Sequence, residues 1–174
     1  MKYLLLVALL LYASCSNSAT IWNKLRPIYS KAGTADIMGN LQAESGLESA
    51  IYQNSYKGSV GLSDQEYVKR VNSGQYSEHK FVHDSVGFGL AQWTYYSRKQ
   101  GLYNKCKGKI GDLNCQLNWL VQELATFSQL SNYLKSTTDL YEATSRVCKE
   151  YEMPAINNIG TRYNYALNWY NTYN

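Results

Sequence analysis

The chain of 174 residues carries a formal net charge of +4, and 17% of its side chains are charged. A positive balance this small and dispersed argues against a nucleic-acid-binding surface. It serves equally as ordinary solubility charge or as attraction to an anionic polymer such as a bacterial wall. The length fits one domain, and about 150 residues suffice to bury roughly 70% of the unfolded surface.

Residues 1–19 read as a cleavable secretory signal, followed by one folded domain over 20–174. Lys2 supplies the positive charge and Tyr3–Ala13 the apolar run. Ala13-Ser14-Cys15-Ser16-Asn17-Ser18-Ala19 supplies small residues for cleavage, after Ala19 or a few residues earlier. The run falls short of the roughly 20 residues a spanning helix needs. No later run is apolar enough, so no stable membrane association is expected. Beyond the signal, helical periodicity dominates. Ile21–Lys31 is a first helix candidate, with Pro27 placed to interrupt or begin it. Gly33-Thr34 reads as a break, with Thr34 capping a helix that runs to Ser45 and stops at Gly46. Ser63-Asp64-Gln65-Glu66 fits a capping box, which predicts a helix from Asp64 to Ser73 ended by Gly74. Gln53–Leu62 and Gln75–Val86 read as loops with room for a short hairpin. Gly87–Gln100 begins with tight turns and becomes helical. Asp112 caps the clearest helix, with Leu113, Leu117, Leu120, Val121 and Leu124 on one face. Leu140, Ala143, Val147 and Tyr151 form a stripe closed by Pro154. Tyr163, Ala166, Leu167 and Tyr170 mark a last helix. The predicted class is mainly α, with a loop-rich region between Gly46 and Gly89.

Cys15 leaves with the signal, and Cys106, Cys115 and Cys148 remain. Secretion permits disulfides. Cys106 and Cys115 are the nearest pair and the first expectation; Cys148 is then a buried thiol, or replaces one of them in the bridge. A zinc set can be written from His79, His83 and these cysteines, but no Cys-x2-Cys pair accompanies it. Neither a metal nor any other cofactor is expected. No Gly-x-Ser-x-Gly elbow and no activated Cys–His signature occurs.

Two segments carry chemistry. In Ile37-Met38-Gly39-Asn40-Leu41-Gln42-Ala43-Glu44-Ser45-Gly46, Glu44 falls on the stripe of Ile37 and Leu41, one turn from the helix end. A partly desolvated carboxyl resists ionisation, and a carboxylic acid that keeps its proton can donate it to a glycosidic oxygen. The opposing reading is a helix-terminal Glu that simply reaches water. In Gly87-Phe88-Gly89-Leu90-Ala91-Gln92-Trp93-Thr94, two glycines permit close backbone approach. Gln92 offers a donor and an acceptor, and Trp93 a flat apolar face, the mixture that sugar rings need. Tyr95, Tyr96 and Arg98 extend that surface. The opposing reading makes Trp93 a core residue.

Read as IMGNLQAESGL and FVHDSVGFGLAQWTYYSRKQ, Ile37–Leu47 and Phe81–Gln100 resemble the phage tail-tip lysozyme family. Gly61–Tyr67, Gly111-Asp112-Leu113 with Gln116-Leu117, and Tyr151–Ala155 are also similar to it. The likeness runs from about Ala35 to Tyr165. Glu44-Ser45-Gly46 and Gly89-Leu90-Ala91-Gln92 are more distantly similar to goose-type lysozymes and lytic transglycosylases. The resemblance implies a lysozyme-like helical domain acting on peptidoglycan, with Glu44 as general acid. It places Ala91–Thr94 along the sugar cleft. Gly89, Gln92, Trp93, Thr94, Tyr95 and Arg98 are the candidate substrate-binding residues, with Ser45 orienting Glu44. Asp84 is the candidate second carboxylate, as nucleophile, water-activating base or turn anchor. Retaining glycosidases hold two carboxyls about 5 Å apart and inverting ones about 6.5–9.5 Å, whereas a transglycosylase route needs only one. The expected protein is a secreted, monomeric peptidoglycan hydrolase (lysozyme, muramidase-like). It acts outside the cell or in the lumen of a phagosome-like compartment, and cleaves the MurNAc–GlcNAc bond. The alternatives are a lytic transglycosylase giving 1,6-anhydro products, a non-catalytic wall-binding module, and a chitin-cleaving enzyme.

Overall fold

The computed structural model describes residues 17–173, so most of the expected signal lies outside the described residues. In chain order the helices are α1 (17–25), α2 (Lys31–Ser45), α3 (Lys57–Val60), α4 (Asp64–Ser73), α5 (Glu78–His83) and α6 (Tyr96–Cys106). They continue with α7 (Leu113–Thr126), α8 (Ser128–Ser136), α9 (Leu140–Arg146) and α10 (Ile159–Thr172). A single 3-10 turn covers Asn54–Tyr56, and a π-helical stretch covers Val147–Glu152. The mainly α class holds. Pairing of extended backbone among the described residues is limited to isolated bridges, Tyr52 with Phe88 and Phe88 with Trp93. Neither loop stretch uses its room for a hairpin. Gln53–Leu62 takes up the 3-10 turn and α3, and Gln75–Val86 contains α5, capped by the Ser77 hydroxyl on Lys80 N (3.2 Å).

The described residues form two compact units. One joins the chain up to Leu47 with the segment from Leu124 onward; the other is Glu48–Glu123.

The first unit is built round α2. Every residue from Ala32 to Leu41 is buried. Such a helix has no solvent face, which is why its sequence shows no clean amphipathic stripe. α10, α9, α8 and the π-helical stretch pack on it. The expected break at Gly33-Thr34 does not occur. The cap is Ser30, whose Oγ accepts from Gly33 N (3.0 Å) and donates to Thr137 O (2.7 Å). Gly33 lies inside the helix, with the Leu134 carbonyl of α8 packed where a Cβ would stand. Gly39 has the same cause on another face: a Cβ there would lie 2.6–2.7 Å from Ala166 N and Cβ and from Arg162 O of α10. Gly46 ends α2 with φ +66°, and its N–H donates to Gln42 O. α1 stops before Pro27 rather than running to Lys31. It buries Ile21, Trp22 and Leu25, and Trp22 stacks on Tyr173 at 4.5 Å. The stripe of Leu140, Ala143, Val147 and Tyr151 crosses a change of pitch, because Met153 N donates five residues back to Cys148 O. On α10 the buried face is Arg162 and Ala166, and Leu167 is exposed.

The second unit has an aromatic core. Tyr67 stacks on Tyr52 at 4.8 Å and lies against Tyr76, Phe81 and Phe88. Much of the tyrosine of this unit is therefore packing. α4 runs as its capping box predicts, with Ser63 Oγ accepting from Glu66 N and Gly74 closing it at φ +80°. Asp112 caps α7 by accepting from Cys115 N (2.7 Å). Leu117, Leu120 and Leu124 of α7 are fully buried, while Leu113 and Val121 are half-buried. The disulfide Cys106–Cys115 ties the end of α6 to the start of α7, and Cys148 is a buried free thiol.

Candidate active site

Glu44 stands where α2 leaves the interior. Its side chain is 18% exposed, and Oε1 accepts from Arg162 Nη2 at 2.5 Å. The stripe argument is thus corrected: α2 is buried all round as far as Leu41, and Glu44 emerges beyond it. Arg162, from α10, is itself buried. Its Nη1 donates to Asn40 Oδ1 (3.2 Å) and Asn40 O (3.4 Å). Asn40 Nδ2 donates in turn to Asp36 Oδ1 (3.1 Å) and to Thr144 O (3.4 Å). Asp36 is wholly buried. Desolvation pushes its carboxyl pKa well up, the Asn40 hydrogen bond opposes this, and the Glu152 charge adds to the rise. Burial likewise raises the Cys148 thiol, which feels Arg162, Glu152 and Glu44.

None of Arg162, Asn40 and Asp36 was legible as a site residue. Arg162 sits among aromatics in Gly160-Thr161-Arg162-Tyr163-Asn164-Tyr165, with nothing local to mark it as buried. The spacing of Asp36, Asn40 and Glu44, each four apart on a helix, was the available signal. Ser45 does not orient Glu44 through its hydroxyl, which donates to Leu41 O (3.0 Å) inside the helix.

In the second unit the segment Gly87–Arg98 is held from beneath by two buried side chains. Gln116 accepts from Leu90 N (2.9 Å) and donates to Ser49 O and Ile110 O (both 2.6 Å). Its amide lies 2.5–2.9 Å from where a Cβ of Gly89 would be, and Gly89 has φ +74°; both features require glycine. Glu123 accepts from Trp93 Nε1 (2.8 Å) and from Arg98 Nε and Nη2 (2.8 and 3.0 Å). Trp93 is 0% exposed. The expected sugar platform is a core residue, and Arg98 is tied to the same carboxylate. What faces solvent is Thr94, Tyr95 (71%) and Tyr96 (60%), with Gln92 half-buried. Gln92 has φ +43° and donates from Nε2 to Gly89 O (2.9 Å).

Of the three roles open to Asp84, its contacts are those of the anchor. Its carboxylate is almost fully buried and serves four donors. Lys99 Nζ and Val86 N donate to Oδ1, and the Tyr67 and Tyr76 hydroxyls donate to Oδ2 at 2.7 and 3.1 Å. Burial and the neighbouring Asp84 push both phenols far above their ordinary values, so they stay donors. Burial lowers the Lys99 ammonium, and Asp84 opposes this. Lys99 also donates to Val86 O (2.8 Å). A carboxylate so engaged is an anchor of the unit, with no oxygen free to attack a sugar or a water.

Comparison with known families bears on both units at once. A model of phage tail lysozymes matches residues 16–173, nearly the whole chain. The chain belongs to the phage tail lysozyme family. Membership carries a lysozyme-like activity on peptidoglycan, glycosidase or transglycosylase in kind. The described residues of this family member contain no helix long and apolar enough to cross a membrane. Nor do they contain a group of three or more His, Cys, Asp or Glu side chains placed to hold a metal ion.

Proposed function

We propose that the chain is a secreted peptidoglycan hydrolase that cleaves the bond from N-acetylmuramic acid to N-acetylglucosamine, with Glu44 as general acid. The observation that carries this reading is the position of Glu44: a carboxyl emerging from a buried helix, held on one oxygen by a buried guanidinium. Such a group meets a substrate in one orientation. Glu44 gives its proton to the bridging oxygen as the bond from that oxygen to the anomeric carbon breaks. The oxocarbenium-like centre is then taken by water, whose proton returns to the Glu44 carboxylate. In the second unit, the exposed rings of Tyr95 and Tyr96 are proposed to stack on sugars, and Gln92 and Thr94 to bond their edges. Trp93, Arg98 and Gly89 hold that segment in shape. The left-handed backbone at Gln92 supports a functional role, because strain of about 1–3 kcal/mol is kept where structure over-determines it, often at binding sites.

A second reading is favoured by the engagement of Asp84. With that carboxylate fully bonded, attack by the muramoyl C6 hydroxyl needs no second carboxyl, and the product is a 1,6-anhydro sugar. The mature chain is proposed to begin at or before Asn17. Asn17 Nδ2 donates to Leu47 O (3.1 Å), and Ser18 accepts from the Tyr173 hydroxyl (3.0 Å), so cleavage after Ala19 would remove packed residues.

The test is digestion of purified peptidoglycan by the mature protein and by Glu44→Gln, with fragments read by mass spectrometry. Loss of about 10²–10⁴-fold in rate is expected, with wall binding retained. Equal rates would end the assignment of Glu44. Reducing-end products support hydrolysis, and anhydro products the internal attack.

A further inference from the structure

Asp36, Asn40 and Glu44 lie four residues apart, so they form one line along α2. Arg162 closes that line from α10, donating through one amino group to Asn40 and through the other to Glu44. The two ends differ. Arg162 and the groups below it are buried, while Glu44 alone reaches solvent. A surface ion pair would leave both partners wet. A plain packing contact would be served better by apolar side chains, because burying a guanidinium costs its hydration. We propose that Arg162 is the positioning residue of the acid, and that Asn40 and Asp36 fix Arg162 in turn, so that the buried line along α2 determines where the Glu44 carboxyl points. This rests on the reading of Glu44 as general acid.

The parts fit that task. The planar guanidinium donates in fixed directions and keeps its charge at every working pH. It therefore sets both the place and the rotation of the carboxyl it holds. Asn40 has each end of its amide used, with Oδ1 accepting from Arg162 and Nδ2 donating to Asp36 and Thr144 O. Burial raises the Asp36 carboxyl well above its ordinary range, and the carboxyl on α2 that the guanidinium bonds directly is that of Glu44. Cys148 and Glu152, from the π-helical stretch, are the other titratable groups electrostatically coupled to this line. Gly39 lets the α10 backbone come close enough for Arg162 to reach both Asn40 and Glu44.

The test compares wild type, Arg162→Met, Arg162→Lys and Glu44→Gln on soluble peptidoglycan glycan strands, as kcat and KM across pH, beside thermal melting. Arg162→Met is expected to lower kcat by about 10²-fold, the scale of a misplaced reacting group, with KM little changed. Arg162→Lys keeps the charge but not the fork, so kcat should recover only in part. A folded Arg162→Met with wild-type kcat overturns the proposal. If that variant does not fold, Arg162→Lys decides, since an unchanged kcat there overturns it as well. Failure of the underlying reading looks different. Glu44→Gln would then turn over like wild type, and both assignments fall.

Discussion

A carboxyl sealed inside a helical unit, as Asp36 is, keeps its proton to a higher pH than the same group in the unfolded chain. The sign of the effect follows. Once pH exceeds the ordinary carboxylate value, the unfolded chain releases a proton that the folded chain retains, so stability falls as pH rises through that window. Asn in place of Asp36 keeps an acceptor for Asn40 and does not titrate. Urea unfolding at a series of pH values should therefore show Asp36→Asn gaining on wild type from about pH 4 towards neutrality. Parallel curves would mean that Asp36 ionises normally. The residue scale is also where sequence reading was weakest. Glu44 is singled out in the sequence because it lies in a motif. Trp93 and Asp84 were placed near the cleft by the same motif logic, and both are buried supports. A motif records which residues go together, not which of them touch solvent. Arg162 reaches Glu44 across 118 positions of sequence, and no local pattern encodes that.

At the scale of the element, local signals were reliable where they are complete in a few residues. The Ser63 and Asp112 caps and the Gly46 and Gly74 stops are such cases, since each is settled by one side-chain bond or one left-handed residue. The α2 start was misplaced because Thr34 and Ser30 are both competent caps. The choice was made by a distant partner, Thr137, that holds Ser30. α5 spans 6 residues and gave no periodicity to find. Gly39 sets two effects against each other. Alanine there would gain about 1 kcal/mol of helix propensity. Its methyl would also press on the α10 backbone, and such overpacking costs about 1–3 kcal/mol. Because the obstructing atoms are backbone atoms of Arg162 and Ala166, the second effect should win. Gly39→Ala is expected to melt at a lower temperature and to turn over more slowly; a higher melting temperature would show that α10 can retreat.

For the whole molecule, the resemblance gave the class and the family, and the structure divides the chain into units that composition does not hint at. Nothing in a run of residues says that the first and last segments share a core. The cysteine arithmetic did hold, since the nearest pair is bridged. A loop this short contributes about 2–3 kcal/mol. On the proposal that the chain is secreted, protein collected from the medium should show, by intact mass, an N-terminus at or before Asn17 and one bridge. Reduction should lower its melting temperature. A mass that starts at Thr20, or a chain with three free thiols, would count against this account of secretion.

The unit that carries Glu44 is assembled from two stretches of chain separated by all of Glu48–Glu123. A ribosome makes α2 early and α10 late, and domains fold once their parts exist. Until α10 emerges, Glu44 has no Arg162, and the helix that bears it has one side without its neighbour. On the proposed role of Glu44, the site stays unassembled while the ribosome makes the whole stretch from α2 to α10, so a partly made chain that lacks α10 is inactive.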